Sequence, residues 1–234
     1  MSFLDKLRAI ANNVSKVYNA GYENGKAEGD GGGSFIDPSW TNFNYLFSHG
    51  RATDEVVSKL KFSDTSNGTI FTLMFQDGTM TTSPLIDVSN ATTLRSLYAS
   101  CLKLKTVRPL NSDKCTDFQY TFNSCMELVT IEGVNFSSAT NINYTFQACS
   151  NLKNLIVNGT IPVSLSMTPC QKLTIDSLKG IITALKDYAG TDNAGKYTLT
   201  LHATSKTNLE AEGATAPGGL TWIAFAESKG WNIA

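Results

Sequence analysis

The chain has 234 residues, of which 17% are charged, and its formal net charge is −1. That length suffices for one large domain with its own core plus an attachment segment. The charge excludes nucleic acid as the main partner, because phosphate binding needs a basic patch, and it excludes a polybasic membrane surface. No stretch approaches the 18 or so apolar residues of a transmembrane helix, and the opening "MSFLDKLRAIANN" has no continuous apolar run of the secretory-signal kind.

Residues 2–28 read as a helix. Phe3, Leu7, Ile10, Val14 and Val17 recur at alternating steps of 4 and 3, which is the spacing of a coiled-coil seam. The pattern predicts oligomerisation through this face; an amphipathic helix packed on the chain's own body satisfies the same spacing. Gly21, Gly25 and Gly29 follow, each weakening a helix by about 1 kcal/mol relative to Ala. The run "GDGGGS" opens a glycine-rich linker over 29–40. A phosphate-cradling loop would need a strand before it and a helix after it, and neither is there.

The centre of the chain repeats. "YTFNSC" (120–125) and "YTFQAC" (144–149) lie 24 residues apart, and three segments fit an aromatic-x-x-Cys-x-x-Leu-x-x-apolar pattern. They are Tyr98, Cys101, Leu104, Val107; Phe122, Cys125, Leu128, Ile131; and Phe146, Cys149, Leu152, Leu155. An apolar residue precedes each aromatic by four: Leu94, Phe118 and Ile142. Phe71/Phe75 and Phe43/Phe47 keep that pair upstream, with an insertion around 48–68 and a turn around 77–84. "MTPCQKL" (167–173) reads as a decayed copy carrying Cys170.

This period predicts a solenoid in which each repeat is one coil. Aromatic, Cys and Leu would stack inward, and 105–109, 129–133 and 153–157 would be short parallel strands about 4.8 Å apart. Five cysteines cannot all pair within one chain. Cys101, Cys125 and Cys149 are expected as a buried ladder of small apolar groups. No Cys-x-x-Cys pair or nearby His supports a metal site, so none is expected, nor any cofactor.

Further on, "TIDSLKGIITALKDYA" predicts an amphipathic helix burying Leu178, Ile181, Ile182 and Leu185, capped by Thr174 or Asp176 and stopped by Gly190. "KYTLTL" alternates as a strand with Leu199 and Leu201 inward. A helix over about 204–212, another over 221–228 and a final strand in "GWNIA" complete 174–234. These are expected as capping coils on the same sheet as the repeats.

Chemistry is sparse. His49 and His202 sit in no hydrolase or metalloprotease motif, and Asp117, Glu127 and Glu132 follow no paired-carboxylate pattern. The chain is therefore read as no enzyme. Six Asn-x-Ser/Thr triplets (Asn13, Asn67, Asn90, Asn135, Asn143 and Asn158) are read as chance in an Asn- and Thr-rich chain. What remains is a surface. Beside the inward residues of each strand, two columns face outward: Thr106, Thr130, Asn154, and Arg108, Glu132, Ile156. They offer a face for a protein or a glycan; a solvated sheet face with cross-strand hydrogen bonds uses the same residues.

The repeat pattern over 41–173 resembles the BspA-like class of leucine-rich repeats. The ending, from "LKGIITALKDYAG" to "KGWNIA", and the start "IANNVSKVYNAGYENGKAEG" look like segments of BspA-like proteins of phages and prophages of Gram-positive gut bacteria. The resemblance implies an α/β, leucine-rich-repeat-like solenoid of short parallel strands preceded by an N-terminal helix. It further implies a virion structural protein of tail, tail-fibre, baseplate or decoration type. Its partners would be other virion proteins, met through the N-terminal helix of a homo-oligomer, and a host surface protein or glycan. The alternative is a bacterial cell-surface adhesion protein.

Overall fold

Each repeat begins with an apolar residue that enters a ribbon of tight turns. In the structure, a computed structural model that describes Ile36 and residues 39–234, these ribbons span 43–49, 71–77, 94–100, 118–124 and 142–148. The helix expected over 2–28, with Phe3, Leu7, Ile10, Val14 and Val17, lies outside the described residues, as does most of the linker. Within a ribbon the chain folds back by i to i+3 bonds: the Thr121 N–H donates to the Phe118 carbonyl, Asn123 to Tyr120 and Cys125 to Phe122. The third residue of every second turn stands at a positive φ. Ten non-glycine residues do so in pairs four apart: Tyr45/His49, Leu73/Asp77, Ser96/Ser100, Tyr120/Ser124 and Tyr144/Ala148.

The remaining N–H groups bind sideways. Phe118, Tyr120, Phe122 and Ser124 donate to the carbonyls of Asn141, Asn143, Thr145 and Gln147 in the next ribbon, at 2.8–3.2 Å. The same four-bond ladder joins 43–49 to 71–77, 71–77 to 94–100, and 94–100 to 118–124. Before four of the five ribbons a short polar side chain closes the entry turn: Asn42, Thr93, Asp117 and Asn141 each accept the N–H two residues on. A threonine column runs alongside, with Thr69, Thr92, Thr116 and Thr140 hydroxyls donating to the carbonyls of Thr41, Thr69, Thr92 and Thr116.

On the other side of each repeat the chain extends. Strands β1 (Thr106–Val107), β2 (Thr130–Asn135) and β3 (Asn154–Asn158) form a parallel sheet in that order, with Thr106, Thr130 and Asn154 in register. Thr82 extends the row by a parallel bridge to Thr106. A bulge interrupts the pairing of β2 and β3 between Ile131 and Val134. The insertion over 48–68 holds a short helix α1 (Asp54–Val57) and a 3-10 turn (Phe62–Thr65).

Between ribbons and strands lies the core. The rings of Phe47, Phe75, Tyr98, Phe122 and Phe146 stack face to face through five repeats, with centroids 5.3–6.1 Å apart. Phe43 and Phe71 stack beside them at 5.1 Å. Within "YTF", the Thr is buried and the Tyr points outward: the Thr121 hydroxyl reaches the carbonyls of Leu94 and Phe118, and Thr145 those of Phe118 and Ile142. Gly68 is required by this packing, because a Cβ there would stand 2.2 Å from the Phe71 ring.

After β3 the construction changes. Strands β4 (Leu165–Ser166), β5 (Thr198–Thr200) and β6 (Asn232–Ile233) make a second three-stranded parallel sheet. The final strands therefore do not join the repeat sheet as expected; they pair through β4. Helices α2 (Ile175–Ala184), α3 (Ala203–Ala211) and α4 (Trp222–Ser228) alternate with these strands along the chain and pack on one another, α2 also against β3 and α4 against β6. Thr174 caps α2 by accepting the Ser177 N–H. The expected stop at Gly190 is too late. The helix ends at Ala184 because Leu185 turns extended to bridge Ile161, while the Lys229 ammonium takes the carbonyls of Ile182, Thr183 and Leu185 at 2.7–3.3 Å. The chain is thus a mixed α/β fold with short parallel strands in two small sheets.

Two substitutions test this core. Thr121→Val removes a buried hydroxyl bond between neighbouring repeats and should cost about 1 kcal/mol in urea denaturation. Tyr98→Phe should cost nothing or stabilise. Among the described residues the Tyr98 hydroxyl is buried without a hydrogen bond of normal geometry. Removing an unsatisfied buried donor relieves a desolvation penalty of about 1 kcal/mol or more.

Candidate functional site

The strand side carries the outward columns. Thr106 and Thr130 are half-buried, Asn154 is exposed, and the Asn154 amide donates to the Thr130 hydroxyl at 3.3 Å. Part of this column is thus a cross-strand hydrogen-bond row. Arg108, Glu132 and Ile156 are all exposed, and Ile156 leaves 53% of its surface open. The bulge in β2 takes Glu132 and Ile156 out of direct register. Arg108 and Glu132 form no ion pair, and the Arg108 guanidinium has no partner among the described residues.

Arg108 instead borders a groove of about 420 Å³ at the first repeats. Its apolar lining comes from Val57, Leu60, Phe62, Pro84 and Leu85, with Phe62 and Leu85 about two-fifths exposed. Asp54 stands at the rim, but its carboxylate already accepts the Thr81 N–H at 2.7 Å and faces the Thr81 hydroxyl. The groove therefore offers apolar contact and one uncommitted cation. Its residues come from the insertion over 48–68 and from 82–85 at the next turn, where the repeat pattern breaks, together with Arg108 of the strand column. The repeat spacing marked Arg108; no spacing signal pointed to the others.

The histidines have local duties. The His202 ring accepts the Thr204 N–H through Nδ1 and caps α3. His49 Nδ1 lies 2.7 Å from the Ser48 hydroxyl, but that hydroxyl is buried and donates to the Tyr45 carbonyl, which is a turn contact rather than an activated nucleophile. Asp117 accepts the Gln119 N–H and the Asn141 amide, and exposed Glu127 lies 3.9 Å from Lys105. Among the described residues no three His, Cys, Asp or Glu side chains gather as metal ligands.

The cysteines are buried as expected, and they do more than fill space. The thiols of Cys101, Cys125 and Cys149 each donate to the carbonyl of the aromatic one repeat earlier, Phe75, Tyr98 and Phe122, at 3.1 Å. A small apolar side chain without S–H would pack there and make no such bond. All five cysteines are free. Burial pushes the thiols of Cys101, Cys115 and Cys149 up to about 12, and those of Cys125 and Cys170 up as well.

Because these thiols ionise later when folded than when unfolded, their stabilisation is fully present below about pH 9 and is lost as pH rises through the folded values near 12. Denaturant midpoints should hold up to about pH 9 and fall above it. Iodoacetamide at about pH 8 should label none of the five thiols in the folded protein and all of them after unfolding; rapid labelling of native Cys125 would contradict its place in the core.

No family model matches this chain, and no curated protein or solved structure matches it.

Proposed function

We propose that the chain is a non-enzymatic virion structural protein of a phage, a tail-fibre, baseplate or decoration component. In this reading its repeats form a leucine-rich-repeat-like solenoid that displays a surface for host or partner binding. The observation that carries it is the lateral ladder: five successive repeats set equivalent residues side by side through backbone bonds, and outward residues become columns on a stiff support. The groove beside Arg108 adds shape to that surface. The sequence at both ends, which resembles phage-encoded BspA-like proteins, supports the virion assignment. Phe3, Leu7, Ile10, Val14 and Val17 supply a seam through which copies would associate, and weak sites on tethered copies gain avidity.

Two measurements test this. Light scattering of the full chain should give a defined oligomer, and Leu7→Asp with Val14→Asp should reduce it to monomers without shifting thermal unfolding of the repeats. A monomeric parent chain removes the oligomer from the proposal. Mass spectrometry of density-purified particles from cells carrying the gene should recover this chain at constant stoichiometry. Its recovery instead from protease-shaved intact cells would establish the cell-surface alternative.

A further inference from the structure

The lateral ladder has an open end. Every ribbon from 43–49 to 118–124 spends its sideways N–H groups on the next ribbon's carbonyls. The last ribbon, 142–148, has no such neighbour, since the chain beyond it enters β4, whose Leu165 and Ser166 pair with β5. The N–H groups of Ile142, Tyr144, Phe146 and Ala148 consequently meet no acceptor among the described residues. Ile142 and Phe146 are buried residues, where an unpaired backbone donor is costly unless something supplies an acceptor.

A groove of about 320 Å³ opens along this edge, between the last ribbon and β4 and β5, at the small end of the range for ligand sites. Its far wall is lined by Ser164, Ser166, Thr168, Thr198 and Thr200; the Ser164 hydroxyl accepts the Thr198 N–H, and the Ser166 and Thr168 hydroxyls lie 3.2 Å apart. Its near wall carries the side-chain amides of Asn143 and Gln147; the Gln147 oxygen is held by the Asn123 amide, which leaves the nitrogen to donate. Tyr144 stands on the near wall, 55% exposed. Tyr120 stacks on one face of its ring at 5.1 Å, and no ring among the described residues covers the other. Among the described residues no charged side chain lines the groove.

Three features decide the ligand class. The edge offers donors only, because the carbonyls of Asn141, Asn143, Thr145 and Gln147 are already used by the preceding ribbon. An extended peptide brings both donors and acceptors to an edge, and its N–H groups would meet no carbonyl on this one. The neutral lining gives an anion no cation to pair with. A ring that has an apolar C–H face and is fringed with hydroxyl oxygens fits both the tyrosine platform and the polar walls. We infer that this groove is a binding site for a neutral sugar, seated on Tyr144 and held by the N–H groups of the last ribbon and the hydroxyls opposite. The site uses other residues than the strand columns and is independent of the virion assignment, which the particle measurement tests separately.

The test is titration of the full chain with methyl glucoside, methyl galactoside and N-acetylglucosamine, read by amide chemical shifts. N-acetylneuraminic acid and inorganic phosphate serve as charged probes. At least one neutral sugar should shift the amides of Tyr144 and Ala148 saturably at millimolar concentration. Tyr144→Ala should weaken it about five- to tenfold, and Tyr144→Phe should retain it. Tyr144 is exposed, so its removal leaves the core intact; Gln147→Ala, also on the surface, provides a second loss of affinity. The proposal is overturned if no neutral sugar shifts these amides, if Tyr144→Ala and Gln147→Ala both bind as tightly as the parent, or if only the charged probes bind.

Discussion

The structure depends on one hydrogen-bond pattern, in which alternate N–H groups of a turn ribbon bind within the ribbon and, in every ribbon but the last, the others bind the next one. Neither half works alone. The turns force a residue with positive φ at every fourth position, and ten non-glycine residues accept that conformation, each at a cost of about 1 kcal/mol. The lateral bonds offset it by pairing donors that the tight turns leave pointing out of the ribbon. Because a ribbon's donors must meet the next ribbon's carbonyls, successive repeats are locked in register. The stacking of Phe on Tyr on Phe, and of threonine hydroxyl on threonine carbonyl, follows from that lock.

The register was legible in the sequence because it is written in large apolar residues at a fixed period. Tyr98, Phe122 and Phe146 marked the stack, and even the degraded pairs Phe71/Phe75 and Phe43/Phe47 fell into it. The expected strand over 129–133 is found as Thr130–Asn135, and that over 153–157 as Asn154–Asn158. The polar half of the repeat was not legible. Thr69, Thr92, Thr116 and Thr140 look like ordinary surface threonines until the neighbouring carbonyl is placed beside each hydroxyl. The cysteines were read as small and apolar; their S–H bonds depend on a carbonyl 26 or 27 residues earlier.

Two expectations failed because distant residues outweighed local ones. Gly190 is a good helix terminator, yet the helix stops at Ala184, where Lys229 and the Ile161 bridge claim the backbone. The closing strands alternate as expected, but pattern alone cannot say which sheet a strand joins. Leu199 pairs with Leu165, not with the repeat strands, because α2 begins where a sixth repeat strand would run: the Thr174 N–H and Ser177 hydroxyl take the Lys153 carbonyl, and Ser177 accepts the Leu155 N–H.

That substitution of helix for strand also accounts for where binding features concentrate. On the strand side, the polar first turn of α2 covers the edge of β3 and pairs the Leu155 N–H and the Lys153 carbonyl. On the ribbon side nothing equivalent exists among the described residues: from Cys149 to Cys170 the chain takes 21 residues rather than 24, and the segment between them runs as β4 and pairs with β5 instead of forming another ribbon. A repeat that ends on one side and not on the other leaves an edge of unpaired donors, and in the interior of a ladder such an edge cannot arise. The distinctive surfaces of this chain lie at the breaks in its period, at the insertion that builds the groove beside Arg108 and at the deletion that opens the groove beside Tyr144. Regular repeats supply stiffness and columns of like residues; concave shape and uncommitted polar groups require an interruption.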